Sequence, residues 1–239
     1  MKSALFSPYH DLMAVLYIVA TPIGNLGDIT LRALETMKNA DVIACEDTRH
    51  TRKLLSANSI SKPLISCNAH QQRKGGNQGV IDLLEEGKTV VYATDAGTPG
   101  LSDPGSVLVQ QVREAGFDII PIPGPSAFST LVSVAGFPGK SITFEGFLSP
   151  KGGRRRKRLE VLLNRGEPFC VYESPYRVLK LLSDIINIDP EVPGVMGREM
   201  TKKHEEYVAG TARELHHYLE GKEKIKGEFS FIFTGNKNT

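Results

Sequence analysis

The stretch over residues 89–105 constrains the fold more than any other part of the chain. It opens with apolar and β-branched residues, which predict a buried strand over 90–93. A loop rich in glycine and proline follows, and Asp103 and Pro104 suit the N-cap and the first position of a helix. That helix is predicted to end at Gly116, because glycine is favoured just past a helix C-terminus. The stretch therefore predicts a strand, a long loop and a helix in sequence.

The loop holds more turn residues than an ordinary connection between a strand and a helix requires. Three glycines and two prolines lie between residues 97 and 105, and Asp95 stands at the end of the strand. Open α/β sheets bind their ligands just beyond the carboxyl ends of the strands. We therefore predict a ligand site here; the alternative is an unusually elaborate turn.

Strand and helix patterns alternate from Leu16 to Ile122, which predicts a doubly wound and mostly parallel sheet. The alternation continues less regularly after a segment rich in proline. With 239 residues there is room for two compact lobes. We expect an α/β fold of two lobes with parallel or mixed sheets: a flexible leader over 1–13, an N-terminal domain over 14–123 and a C-terminal domain over 124–239.

Composition excludes several classes of protein. No apolar run approaches the roughly 20 residues that a membrane helix needs, so we predict no membrane span. The three cysteines are few and odd in number, which favours reduced thiols and a cytoplasmic location. The six histidines show no spacing typical of metal ligands, so no metal is predicted. There is no complete P-loop or dinucleotide-binding glycine pattern, which disfavours nucleotide hydrolysis and hydride transfer.

The net charge is only +2, so any surface for a polyanion must be local. The clearest candidate is the segment 151–158, where six of eight residues are basic. We interpret it as a basic loop followed by a helix from Arg158, and expect its guanidinium groups to bind phosphates. The alternative is a solvated loop without a partner. The predicted RNA-binding residues are Arg49, Arg154, Arg155, Arg156, Lys157 and Arg158.

Charged residues also follow two other predicted strands. Glu46 and Asp47 come directly after one, where they could take part in proton transfer or simply cap the next helix. Arg198, Glu199 and Lys202 come after another, where they could line a reaction site or form a surface ion cluster. All five are candidate catalytic residues.

Seven segments taken together closely resemble the ribosomal RNA small-subunit methyltransferase I family, within the tetrapyrrole-methylase-like class of enzymes that use S-adenosylmethionine. They occur in the chain at 16–30, 46–51, 95–105, 123–127, 144–148, 172–175 and 198–202. The resemblance implies a homodimer, with the methyl donor in a cleft between two α/β lobes. It also implies 2′-O-methylation of a cytidine in the decoding region of 16S ribosomal RNA. The implied donor contacts are Ile23, Asp95, Thr98, Ser126, Ala127, Tyr172 and Gly197.

Methyl transfer to a ribose oxygen requires close alignment of the reactants, and it benefits from a general base because the hydroxyl is weakly acidic. Lys202 is the first candidate for that base, on the condition that burial or Arg198 depresses its pKa. Glu46, Asp47 and Glu199 are the alternatives. Two other functions stay open: C-methylation of a tetrapyrrole, and RNA binding without catalysis.

Overall fold

The computed structural model describes residues 14–68, 77–137 and 140–235, so the predicted leader over 1–13 lies outside the described residues. The chain divides into two compact units between Ser126 and Ala127. This division falls a few residues after the boundary predicted at 123. Each unit contains one five-stranded sheet.

The sheet of the first unit is wholly parallel, as the alternation of strands and helices predicts. Its strands lie in the order β3-β2-β4-β1-β5, so the apolar strand β4 is central. The strands are β1 (Val15–Val19), β2 (Val42–Cys45), β3 (Leu64–Ser66), β4 (Val90–Ala93) and β5 (Asp118–Ile122). The helices are α1 (Leu31–Asn39), α2 (Thr48–Ala57), α3 (Gln78–Glu85) and α4 (Ser106–Glu114).

Helices pack on both faces of this sheet. Residues of α1 and α2, among them Met37 and Leu55, join Val91 in one apolar cluster. Residues of α3 and α4, among them Leu84, join Tyr92 of the same strand in the other. Because neighbouring residues of a strand point to opposite faces, β4 must be apolar along its whole length.

The predicted start of α4 is wrong. The helix begins at Ser106, and its N-cap is Gly105 with φ of +125° rather than Asp103. A Cβ at Gly105 would lie 3.0 Å from Cε1 of Tyr92, so the loop packs tightly against β4 at this point. The helix therefore begins only after Gly105. The predicted end is confirmed, since the helix stops at Glu114 and Gly116 follows with φ of +86°.

The second unit has a mixed sheet in the order β6-β7-β10-β8-β9, in which only β6 and β7 are parallel neighbours. The strands are β6 (Thr143–Phe147), β7 (Pro168–Glu173), β8 (Pro193–Arg198), β9 (Glu206–Thr211) and β10 (Phe229–Thr234). The helices are α5 (Ala127–Ala135), α6 (Gly152–Asn164), α7 (Val178–Ile186) and α8 (Ala212–Glu220). The edge strand β9 was not predicted, because an exposed edge carries little apolar alternation.

The interpretation of 151–158 as a loop is also wrong, since α6 already begins at Gly152. Arg155 lies in its first turns, is only 6% exposed and contacts Asp184 of α7. Its Nε and its terminal guanidinium nitrogen both lie 2.7 Å from Oδ2 of that carboxylate. The inward face continues with Leu159 and Leu162. The basic segment is therefore helical, because Arg155 forms a buried ion pair and the apolar residues that follow on the same face pack inward.

We expect Asp184→Asn to lower the free energy of unfolding by about 3–5 kcal/mol, because it leaves the buried charge of Arg155 without its counterion. Urea unfolding followed by circular dichroism measures the change. Glu191→Gln is a matched control: it removes a partner of Arg213 from a pair in which both side chains are exposed. Its effect should stay below about 1 kcal/mol. Equal effects of the two substitutions would contradict a structural role for the Arg155 pair.

Candidate functional site

In the first unit, the loops that follow β1 and β4 are fastened to each other at the carboxyl end of the sheet. The backbone N–H of Thr21 donates to the carbonyl of Gly97 over 2.9 Å, and the N–H of Gly97 donates back over 3.0 Å. The buried hydroxyl of Thr21 also donates to the carbonyl of Thr94. These bonds fix the start of the loop that the sequence singles out as a ligand site.

Three of the predicted donor-binding residues lie around or next to Gly97. This residue has φ of +81°, and a Cβ here would lie 3.5 Å from Cγ2 of Ile23 and 4.0 Å from the carbonyl oxygen of Pro125. The hydroxyl of Thr98 donates to that same carbonyl over 3.2 Å. Ser126 follows Pro125 directly. The predicted residues therefore converge on the stretch of backbone around Gly97, which is buried and carries no side chain.

Near Gly97, three carboxylates from neighbouring loops interact electrostatically: those of Glu46, Asp95 and Asp103. Oδ1 of Asp95 accepts the backbone N–H of Asp47 over 3.1 Å, which ties the ends of β4 and β2 together. Burial, followed by the charge of Asp95, raises the pKa of Glu46. Burial, with the charges of Glu46 and Asp95, raises the pKa of Asp103 to about 6. The sequence analysis missed Asp103 as a site residue, although it lies in the conspicuous loop.

Asp47 has the role that the sequence analysis gives as the alternative to catalysis. It caps α2, and its Oδ1 accepts the backbone N–H of Arg49 over 2.8 Å. The guanidinium of Arg49 binds the same carboxylate at 2.6 Å. Hydrogen bonds from Arg49 hold the pKa of Asp47 well below its usual range. A carboxylate held in this way is a weak base.

In the second unit, two of the remaining predicted donor contacts share one face of the mixed sheet, and the third, Ala127, begins helix α5. Ser230 of β10 pairs with Tyr172 of β7 on one side and with Gly197 of β8 on the other. A Cβ at Gly197 would lie 3.1 Å from Cδ1 of Leu131, which belongs to the helix that begins at Ala127. Helix α5 therefore covers this face of the sheet.

The charged turn after β8 is held by a second segment of the chain. Oε1 of Glu199 accepts from Nζ of Lys202 and from the backbone N–H of Glu228, each over 2.9 Å. Lys202 also pairs with the carboxylate of Glu228 at 2.9 Å, and Nε of Arg198 donates to the carbonyl of Lys226 over 2.7 Å. Glu199 has φ of +49°, a conformation that these bonds stabilise.

The expected depression of the pKa of Lys202 is wrong. Burial acts to lower this pKa, but hydrogen bonds to Glu199 and Glu228 outweigh it, and the pKa is raised. The ammonium group stays protonated near neutral pH and has no lone pair with which to accept a proton. For Glu199, burial is outweighed by the bonds from Lys202 and Glu228, and its pKa is lowered. Of the four candidate bases, Glu46 is the one whose pKa shifts towards neutrality.

The basic residues of α6 fall into two groups. Arg155 is buried against Asp184, and Arg158 forms two hydrogen bonds to Glu145, over 2.7 and 2.6 Å. Glu145 stands at an irregularity of β6 where the register shifts. The others, Arg154, Arg156 and Lys157, are exposed. Arg155 is therefore a structural residue, which corrects its prediction as an RNA contact.

The residues that the structure describes contain neither a candidate metal site nor a candidate membrane-spanning helix. No group of three or more histidine, cysteine, aspartate or glutamate side chains there could hold a metal ion. Over the same residues, no helix is both long and apolar enough to cross a membrane.

Known proteins resemble this chain along most of its length. A profile of the family described as Tetrapyrrole (Corrin/Porphyrin) Methylases matches residues 15–216. Ribosomal RNA small subunit methyltransferase I of Borrelia garinii is 50% identical over 219 residues, covering 91% of this chain and 97% of the relative. The protein of the same name in Thermotoga maritima is 43% identical and is covered completely, over 94% of this chain. This chain belongs to the tetrapyrrole methylase family, in its ribosomal RNA small subunit methyltransferase I group.

Solved structures of other tetrapyrrole methylases have the same fold. A cobalt precorrin-4 methyltransferase of cobalamin biosynthesis superposes with a TM-score of 0.67 at 18% identity, over 98% of both chains. Uroporphyrin-III C-methyltransferase from Thermus thermophilus, complexed with S-adenosylhomocysteine, gives 0.62 at 17% identity over 91% of this chain and 96% of that one. At such low identity the likeness establishes the fold class, as predicted, and nothing finer.

The raised pKa of Asp103 predicts how this methylase responds to pH. Between its ordinary value of 3.8 and about 6, the native protein binds more protons at this site than the unfolded chain, so stability falls as the pH rises. We expect Asp103→Asn to unfold at a higher temperature than wild type at about pH 7.5, and to lose that advantage at about pH 4. Thermal unfolding at both pH values measures this. A variant that is less stable than wild type at the higher pH would contradict the raised pKa.

Proposed function

We propose that this protein transfers a methyl group from S-adenosylmethionine to the 2′-hydroxyl of a cytidine in the decoding region of 16S ribosomal RNA. The observation that carries the proposal is the 50% identity to a ribosomal RNA small subunit methyltransferase I over 97% of that relative. The choice of cytidine and of the ribose oxygen rests on the resemblance of the seven sequence segments.

The residues at the carboxyl end of the first sheet fit a nucleoside donor. Gly97 is buried against the apolar side chain of Ile23, and Asp95 is a half-buried carboxylate of the type that binds ribose hydroxyls. The donor supplies an electrophilic methyl group on a sulfonium. The proposed contacts are Ile23, Asp95, Thr98, Ser126, Ala127, Tyr172 and Gly197.

We assign Glu46 as the general base that accepts the proton of the ribose hydroxyl. A base is most effective when its pKa approaches the working pH, and burial together with Asp95 moves Glu46 in that direction. Such a base contributes about 10²–10⁴-fold, whereas alignment of the reacting atoms can lower the barrier by about 7–11 kcal/mol. Arg198 and Lys202 already pair with Glu206, Glu199 and Glu228, so we assign this turn a structural role.

The exposed cations of α6 are the proposed contacts to the ribosomal RNA backbone. Among the described residues, Arg154 and Lys157 are exposed and form no ion pair, so their charges are available to phosphate. Arg156 lies 3.5 Å from Asp184 and still exposes about half of its side chain. Arg49 has an 83% exposed side chain beside the donor loops and is retained as a further contact.

A tetrapyrrole substrate is the alternative within the same fold. The solved tetrapyrrole methyltransferases are 17–18% identical to this chain, which shows only a shared fold. The exposed cations of α6 favour a polyanion as the substrate. A cytoplasmic location, which the three cysteines favour, and a homodimeric state, which the resemblance implies, are also part of the proposal. Binding of RNA without methyl transfer is the remaining possibility.

Methyl transfer to isolated subunits tests the activity. Small ribosomal subunits from cells that lack this gene are incubated with the protein and S-adenosylmethionine labelled in the methyl group. We expect label on the ribose of one cytidine in 16S ribosomal RNA, located by mass mapping of nuclease fragments. Uroporphyrinogen serves as the competing substrate. Labelling of the tetrapyrrole alone, or donor binding without turnover on any RNA, would overturn the proposal.

The base assignment predicts that Glu46→Gln lowers kcat by about 10²–10⁴-fold while the affinity for S-adenosylmethionine stays within a few-fold of wild type. The amide keeps the shape of the side chain but cannot accept the proton. Single-turnover kinetics measure the chemical step, and calorimetry measures donor binding. Glu199→Gln is the matched comparison, since Glu199 is the carboxylate whose pKa is lowered. If Glu199→Gln abolishes turnover and Glu46→Gln does not, the assignment is wrong.

A further inference from the structure

Tyr176 has the most exposed ring among the aromatic residues that the structure describes. Its exposure is 90%, and it stands in the turn between β7 and α7. Tyrosine rings usually bury most of their surface, although a lone exposed ring is common on protein surfaces. Exposure alone therefore assigns no role to Tyr176, and its surroundings decide whether it has one.

The turn that carries Tyr176 is held rigidly. The side chain of Glu173 is fully buried, and its Oε1 accepts the backbone N–H of Ser174 over 2.8 Å and a guanidinium nitrogen of Arg177 at 2.6 Å. The N–H groups of Arg177 and Val178 both donate to the carbonyl of Ser174, over 3.0 and 3.1 Å. Burying a carboxylate is unfavourable unless it is well paired. Only Oε1 of Glu173 is paired in this way, since its Oε2 is buried and has no hydrogen-bond partner among the described residues. The contacts of Oε1 hold the backbone on either side of one exposed ring.

A second exposed aromatic residue lies at the same end of the sheet, where the parallel strands β6 and β7 terminate. We refer to this end as the edge that carries Tyr176. Phe147 ends β6, pairs in register with Tyr172 of the parallel strand β7 and is 57% exposed. Its ring packs edge-on against that of Tyr172 at a centroid distance of 5.7 Å. Because the carboxyl ends of parallel neighbours meet at one edge, the turn of Tyr176 lies on the same side of the second unit as Phe147.

The exposed cations of α6 begin at this edge too. Helix α6 starts at Gly152, only a short connection after the end of β6 at Phe147, so its first turns lie beside the strand ends. Arg154 and Lys157 are exposed on those turns. Exposed rings next to phosphate-binding cations are the combination that recognises unpaired nucleotides, because a base in a duplex is already stacked on its neighbours.

We propose that this edge of the second unit binds an unpaired stretch of RNA, in which Tyr176 stacks on a base and Arg154 and Lys157 contact the flanking phosphates. The proposal rests on the proposed function, because it takes ribosomal RNA as the substrate, and it adds the class of RNA that is recognised. Stacking is tolerant of base identity, so Tyr176 selects single-stranded over double-stranded RNA more than it selects sequence.

The chain contains no tryptophan, so Tyr176→Trp introduces a single tryptophan at the proposed contact, whose emission can be followed separately from that of the tyrosines. We expect a short oligocytidine to quench its emission. An oligonucleotide of the same length and charge whose sugars carry no bases should bind through its phosphates and leave the emission unchanged. A duplex of the same sequence should also fail to quench.

Affinity measurements separate the ring from the charges. By fluorescence anisotropy, Tyr176→Ala should bind oligocytidine about 5- to 100-fold more weakly than wild type, with the same dependence on salt, whereas Tyr176→Phe should bind normally. The double substitution Arg154→Gln and Lys157→Gln should instead reduce the salt dependence. Tyr207→Ala is the matched control, because Tyr207 is an exposed tyrosine of β9, which is the opposite edge strand of the same sheet and lies three strands away from β7. It should leave binding unchanged.

The outcomes distinguish failure of this proposal from failure of the proposed function. If the wild-type protein methylates subunits but Tyr176→Ala binds oligocytidine as tightly as wild type, or if the wild-type protein binds no oligocytidine, the stacking proposal is overturned. If Tyr176→Ala binds oligocytidine normally but loses activity on intact subunits, the ring contacts a ribosomal protein instead, and the proposal is likewise overturned. If the wild-type protein methylates no RNA, the proposed function itself fails.

Discussion

The pair of backbone hydrogen bonds between Thr21 and Gly97 is the interaction on which the geometry of the first unit's site depends. It joins the loops after β1 and β4, which are neighbouring parallel strands, and it brings Gly97 against Ile23 and Pro125. The positive φ of Gly97 allows the loop to turn at this point without a side chain in the space it borders. A buried loop junction without a side chain at the strand ends follows from these bonds together with the parallel order of the sheet.

Acid and base roles in this protein are decided by partners distant in sequence. Lys202 and Glu199 neutralise each other with help from Glu228, so neither is suited to accept a proton. Glu46 is half-buried beside Asp95, where burial and like charge raise its pKa. The carboxylates therefore differ in their pKa shifts, although burial acts to raise the pKa of Glu46 and of Glu199 alike. The difference lies in whether a carboxylate faces a cation or another carboxylate.

The fold was predictable where local signals agree, and the failures share a physical cause. The parallel sheet and the loop after β4 follow from apolar runs and turn residues that are contiguous in the chain. The start of α6 depends instead on Asp184, which lies in another helix and pairs with Arg155. The pKa of Lys202 depends in the same way on Glu228, which precedes the last described strand. Spacing within a segment carries no information about such partners, so the loop after β4 was predictable and the pKa of Lys202 was not.

The basic start of α6 shows how one segment meets a structural and a functional demand together. Cations at a helix N-terminus oppose the helix dipole, and Lys151 provides no side-chain cap there. The buried pair of Arg155 and Asp184 offsets this local penalty and holds the first turns in place. As a result Arg154 and Lys157 project from a fixed helix instead of a mobile loop. Fixed cations lose less conformational entropy when phosphate binds, so the anchoring that removes Arg155 from the proposed RNA contacts favours the proposed contacts of Arg154 and Lys157.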